Sequence, residues 1–158
     1  MGKSLIDIAK EVIQTESDSV LLLKDRIDQN FIDVCHTLKS CMGKVVLIGM
    51  GKSGHIAKKI SSTLASTGTP AFFLHPGEAG HGDLGMVSHD DVVIMISYSG
   101  ESDEIISLLP GIKRMNVPII SMTGNAKSSI ASSSDFHMDV SVEKEACPHN
   151  LAPTSSTT

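Results

Sequence analysis

The chain has 158 residues, 41% of them hydrophobic, with a formal charge of -5 and a pI near 5.7, which fits one domain able to bury about two-thirds of its unfolded surface. The lysines are scattered rather than clustered, so no basic footprint for nucleic acid or an anionic membrane is present, and no apolar run approaches the ~18 residues of a spanning helix. Three cysteines (Cys35, Cys41, Cys147) form no C-x-x-C pair, which argues against a disulfide framework or a zinc knuckle and for a reducing cytoplasm.

The first 43 residues read as a helical arm. One amphipathic helix is expected around Ile6 to Thr15. A longer one is expected from Val20 to Cys41, where Val20, Leu23, Ile27, Phe31, Val34, Leu38 and Cys41 recur at the three-and-four spacing of a helix face. Such an arm covers one face of a sheet or packs against a partner chain. From Gly43 and Lys44 onward the pattern changes to short apolar runs: "VVLIGM" (45 to 50), "AFFL" (71 to 74), "VVIMIS" (92 to 97), "VPIISMT" (117 to 123) and a weaker "FHMDVSV" (136 to 142). Helix-like stretches lie between them, "GHIAKKISSTLAST", "SDEIISLLPGIKRM" and "KSSIASSS". Continuous apolar strands alternating with helices predict an α/β fold, doubly wound around a parallel sheet buried on both faces. With a flavodoxin-like strand order 2-1-3-4-5, the loops after strands one and three flank the ligand crevice.

Those loops are "GMGKSG" (49 to 54) and "SYSGES" (97 to 102). The first matches G-x-G-x-x-G, but the dinucleotide fingerprint wants an acid at the end of the second strand, and Glu78 comes only after a Pro-Gly turn. A P-loop would need glycine where Val46 stands. What remains is an anion site: Gly51 and Gly54 allow a tight turn, the following helix offers unpaired N–H groups, and Lys52 and Ser53 add a cation and a donor. A plain strand-to-helix turn with a solvated lysine fits the same residues. The second loop repeats the arrangement, with Ser97, Ser99 and Ser102 as donors and Gly100 for close backbone approach, while Glu101 and Asp103 read as first-turn acids complementing a helix dipole. The connector "HPGEAGHGDLGMV" holds His75, Glu78, His81 and Asp83 within nine residues. Their spacing matches no familiar metal-ligand pattern, so they read as contacts to substrate hydroxyls and no metal is expected. The closing "LAPTSSTT" reads as a helix start with no helix behind it, or as a polar tail.

Taken together, "GMGKSGHIAKKISSTLASTGTPAFFLHPGEAGHGDLGMV", "SYSGESDEI" and "KEACPHNLAPTSSTT" resemble the sugar isomerase (SIS) domain of arabinose 5-phosphate isomerases, densely from about Val45 to Thr158. The resemblance implies a five-stranded flavodoxin-like sheet in a domain spanning 44 to 158 behind an arm at 1 to 43, a homo-oligomer, commonly a tetramer, and interconversion of ribulose 5-phosphate and arabinose 5-phosphate in the supply of Kdo for lipopolysaccharide. It implies a phosphate held at Ser53, Ser97, Ser99 and Ser102, with Gly51 and Gly100 and the backbone of "APTSS" nearby. Residues implicated in activity in the family match Lys52, His81, Glu104 and Glu145. Aldose-ketose exchange through an enediol needs a positioned base and donors for an oxyanion but no redox cofactor. Glu104 is the expected base and Lys52 the phosphate or oxyanion partner; Glu145 and His81 help ring opening and positioning, and His75 and Glu78 contact substrate. The chain departs from the family at Tyr98, where asparagine is usual, and at "CPHN", where "CPLG" is commoner; because members of the family continue into a last helix, a further functional histidine and paired CBS domains, the chain reads as a truncated member. A SIS domain that senses a sugar phosphate or nucleotide sugar without turnover is the alternative reading.

Overall fold

The computed structural model describes residues 3–158. Five parallel strands, β1 (Val45–Gly49), β2 (Ala71–Leu74), β3 (Val92–Ile96), β4 (Ile119–Thr123) and β5 (Phe136–Asp139), form one sheet in the order β2-β1-β3-β4-β5. Every residue of β1 and β3 is buried, as the unbroken apolar runs require of central strands covered on both sides. β4 starts later than its apolar run because Pro118 has no N–H to give to the ladder.

The alternating side chains of the strands build two cores. Val46, Ile48, Val93, Met95 and Ile119 face Ile105, Leu108, Leu109, Ile112 and Ile130. These last five come from α5 (Asp103–Ile106), α6 (Leu109–Arg114) and α7 (Ser129–Ser132), with Leu108 at the junction of the first two. Val45, Leu47, Val92, Ile94 and Ile120 face Val34 and Ala57, from α2 (Gln29–Lys39) and α3 (Gly51–Ser66). Each fully buried valine or isoleucine is worth about 1.5–3 kcal/mol, so these two layers dominate the stability of the sheet. The expected single helix behind "SYSGES" is two short ones, since Pro110 enters the first turn of α6 and starts a new helix there. Residues 75 to 87 fold into α4 (Pro76–Gly80) and a 3-10 turn, Asp83–Met86.

The arm differs from its sequence reading. α1 runs from Leu5 to Leu22 and passes into a 3-10 turn, Leu23–Arg26; the chain then opens at Ile27 before α2 begins. Asp28 sets that break by accepting from the Phe31 N–H as an N-cap, which a continuous Val20 to Cys41 helix could not accommodate. The apolar spacing is continuous, but the cap signal inside it decides the local structure. α2 covers the sheet through Val34, whereas α1 buries only Thr15 and Ser19 and leaves Leu5, Ile6, Ile13 and Leu21 exposed. Arm and sheet are joined by polar contacts as well. The Asn30 amide donates to the His137 carbonyl at 2.7 Å, and the Arg26 guanidinium donates to the Ser141 carbonyl and lies 3.7 Å from the Asp139 carboxylate. At the opposite end of the strands, buried Asp91 accepts from the N–H groups of Lys44 (2.7 Å) and Ser88 (2.8 Å) and from Lys44 Nζ (3.2 Å).

Candidate functional site

β1 leads to β2 on one side and β3 leads to β4 on the other, so chain direction across the sheet reverses between β1 and β3. Gly49 is level with Ile96, and the two following loops leave the sheet side by side at its carboxyl edge, the usual crevice of this architecture. Backbone meets backbone there. A Cβ on Gly54 would stand 2.8 Å from the Gly49 carbonyl oxygen, so part of the glycine pattern serves the close fit of α3 against the end of β1. Met50, the residue before α3, has no side-chain oxygen to cap the helix. The first-turn amides and the positive end of the helix dipole are therefore offered to the crevice.

Lys52 and Ser53, in that first turn, line a cavity of about 270 Å³ with mixed polar and apolar walls. Tyr98 and the segment after β5 form its other wall, including Glu145, Asn150, Ser156 and Thr157. A second, more apolar cavity of about 440 Å³ lies between the arm and the sheet; Ser53, Tyr98 and Val142 line both, so the tyrosine stands at their boundary. The Tyr98 hydroxyl accepts from the Val142 N–H at 3.2 Å, and the Tyr98 carbonyl accepts from the Gly124 N–H at 2.8 Å.

The second loop is a braced turn. Ser97 is buried; its Oγ lies 2.8 Å from Ser102 Oγ and accepts from the Gly100 N–H, while Ser99 Oγ accepts from the Glu101 N–H. Gly100 has φ +67°, and a Cβ there would collide with the side chain of Ser128. Glu101 does cap a helix, but not its own: its carboxylate accepts from the Ser129 N–H at 2.8 Å, at the start of α7. The hydrogen bonds from Ser129 hold its carboxyl below the usual range.

Glu145 is held more tightly. One carboxylate oxygen, Oε2, accepts from the Thr154 N–H (2.7 Å), the Thr154 hydroxyl (2.9 Å) and the Ser156 N–H (3.3 Å). The Glu145 N–H donates to Asn150 Oδ1, and the Ala146 N–H donates to Thr154 Oγ1, closing the segment on itself. Burial raises the Glu145 carboxyl, but the donors from Ser156 and Thr154 outweigh it and leave it below the ordinary carboxylate range.

Of the sequence candidates only Lys52, Ser53 and Glu145 line the cavity; Gly51, Ser97, Ser99, Gly100 and Ser102 do not, and the others also stand outside it. Glu104 is exposed in the first turn of α5, and His75, Glu78 and His81 are exposed around α4. His75 caps that helix by accepting from the Gly77 N–H at 3.1 Å, with its ring edge-on to Phe73. Among the described residues no group of three or more His, Cys, Asp and Glu side chains is arranged to hold a metal ion, and no helix is long and apolar enough to cross a membrane. Asn150 ends the "CPHN" departure and Thr157 lies in the closing hydroxyl run, but neither is singled out as a site residue by the sequence. For Asn150 the usable signal is an asparagine in a polar connector, a residue type that tolerates the left-handed region, and its φ is +53°.

Comparison with known proteins gives these loops a context. The SIS domain family model matches residues 38–158. Arabinose 5-phosphate isomerase KdsD of Escherichia coli K12 is 58% identical over 149 residues, covering 94% of this chain and 45% of the relative. KdsD of Pseudomonas aeruginosa is 54% identical over 153 residues, covering 97% and 47%. The chain thus spans about half the length of these relatives. Among solved structures, a protein of E. coli CFT073 in complex with arabinose 5-phosphate superposes with a TM-score of 0.93 at 47% identity, over 99% of this chain and 84% of that one. The strand order is the expected one, and the matched segment holds both crevice loops and the whole wall from Tyr98 to Thr157: the chain belongs to the SIS domain family.

Proposed function

We propose that this chain is the isomerase domain of an enzyme that interconverts D-ribulose 5-phosphate and D-arabinose 5-phosphate through an enediol. The observation behind the reading is the uncapped N-terminus of α3, which opens with Lys52 and Ser53 into a cavity of mixed lining at the point where strand direction reverses. A dianionic phosphate suits that end, with Gly51 and Gly100 admitting it close to backbone and Ser97, Ser99 and Ser102 as further donors. The relatives' names and the sugar phosphate bound in the E. coli CFT073 structure support the choice of substrate. In this scheme Glu104, a carboxylate with no side-chain partner among the described residues, moves the proton between the two carbons of the enediol. Lys52 balances phosphate or oxyanion charge, and His81, His75 and Glu78 contact sugar hydroxyls. Residues 1–43 act as an arm to the domain at 44–158. The exposed apolar residues of α1 suit a homotetramer, and the reaction would serve Kdo and lipopolysaccharide synthesis in the cytoplasm.

Solvent deuterium incorporation into arabinose 5-phosphate, at the carbon next to the carbonyl, tests the reading. The wild-type chain should exchange, and Glu104→Gln should lower the rate by about 100-fold or more. Near-normal exchange in Glu104→Gln would remove the base assignment. The exposed positions of Glu104 and His81 outside the cavity favour one alternative, a domain that binds a sugar phosphate as a sensor; binding without exchange in the wild type would establish it.

A further inference from the structure

Two carboxylates assigned to the reaction have opposite surroundings. Glu104 is exposed and unengaged among the described residues, whereas one oxygen of Glu145 already receives three donors, two from Thr154 and one from Ser156. The acceptor capacity of Oε2 is taken up by these donors, and because the two oxygens share one charge, each donor also lowers the basicity of Oε1. The same donors belong to the segment whose Ser156 and Thr157 line the cavity beside Lys52 and Ser53. Thr154 is used from both sides, since its hydroxyl donates to Glu145 and accepts from the Ala146 N–H at 2.7 Å. We infer that Glu145 is a positioning residue: its carboxylate clamps Thr154 and Ser156 and so fixes the wall that closes the phosphate end of the cavity, while proton transfer is left to another group.

The clamp is a property of the chain itself, and its catalytic meaning rests on the isomerase reading proposed above; the test separates the two. Glu145→Gln, Thr154→Ala and the double variant are compared with wild type in three measurements. In amide hydrogen exchange, the Thr154 and Ser156 amides should lose protection in Glu145→Gln, by about tenfold or more, as a charge-assisted acceptor is lost. In turnover of arabinose 5-phosphate, KM should rise about tenfold with a smaller fall in kcat, and inorganic phosphate should inhibit correspondingly less. Because both side chains serve one clamp, the double variant should be little worse than either single one, a non-additive cycle. Unchanged protection in Glu145→Gln overturns the inference, as does loss of deuterium exchange with unaltered KM, or additive effects of the two substitutions. Should the wild type not turn over sugar phosphate at all, the isomerase reading fails, and amide protection at Thr154 and Ser156 still decides the clamp.

Discussion

Replacing Gly100 by alanine perturbs the loop after β3 in two separable ways. With φ at +67°, an L-residue there is strained by about 1–2 kcal/mol. The new methyl would also run into Ser128, a fully buried residue whose Oγ caps α7 by accepting from the Ala131 N–H. Forcing that overlap apart costs a further ~1–3 kcal/mol. Alanine restricts the unfolded chain and returns about 0.4–1 kcal/mol, leaving a net loss of about 1–4.5 kcal/mol, about 3 at the centre of the ranges. Gly51→Ala supplies the control, because Gly51 has φ +56° but nothing within 4 Å of an added Cβ; strain alone leaves about 1 kcal/mol. Urea unfolding of the two variants at pH 7 measures the difference directly. Since the Gly100 collision also displaces the turn that holds Ser97, Ser99 and Ser102, the arabinose 5-phosphate binding proposed above should weaken in Gly100→Ala beyond what its stability loss explains. Equal destabilisation of the two variants, within about 0.5 kcal/mol, would refute the steric part of the reasoning.

Asp91→Asn should cost about 2–3 kcal/mol, because the charged acceptor of two backbone N–H groups and of Lys44 Nζ is lost in a buried position. Burial raises the Asp91 carboxyl, but the donors from Ser88 and Lys44 outweigh it and hold it below its ordinary value. Its contribution is therefore complete above the unfolded carboxylate pKa and disappears as pH falls through the depressed folded one; urea midpoints taken from pH 7 to pH 3 should show a shallower acid limb in Asp91→Asn than in wild type. Tyr98→Phe removes only the hydroxyl that accepts from the Val142 N–H, a loss of about 0.5–1 kcal/mol, and hydrogen exchange at Val142 should quicken while α3 and β1 amides stay unchanged.

The fold class is legible because the central strands are buried on both faces, so their sequences are unbroken apolar runs that need no partner information to be recognised; the strand order comes only with the family resemblance, since apolar runs do not say which strands are neighbours. The proposed anion site is legible for a similar local reason, since a strand, a glycine turn and an uncapped helix lie consecutively in the chain. The arm is misread where two local signals compete: the apolar spacing through Ile27 says helix, and the Asp28 cap interrupts it. Glu145 shows what spacing cannot reveal. Its partners lie nine and eleven residues away across an irregular loop, and no periodicity encodes which carboxylate is occupied by its own backbone and which is free. Tyr98 stands out only as a departure from the family pattern, because its contact with Val142 joins residues 44 positions apart.

The side chains of Arg26 and Asn30, reaching from the arm to carbonyls at and just beyond β5, also bear on how this molecule meets copies of itself. An edge strand ordinarily presents its free carbonyls as a template on which a foreign strand can add. Here the His137 and Ser141 carbonyls are already engaged, and an incoming strand would have to displace two side-chain donors and an adjoining ion pair before gaining any ladder. The opposite edge, β2, is only four residues long. Extension of the sheet from molecule to molecule is thus discouraged at one end by occupation and at the other by shortness, which leaves helical faces, α1's apolar one foremost, as the surfaces through which copies can associate without running on into a fibre.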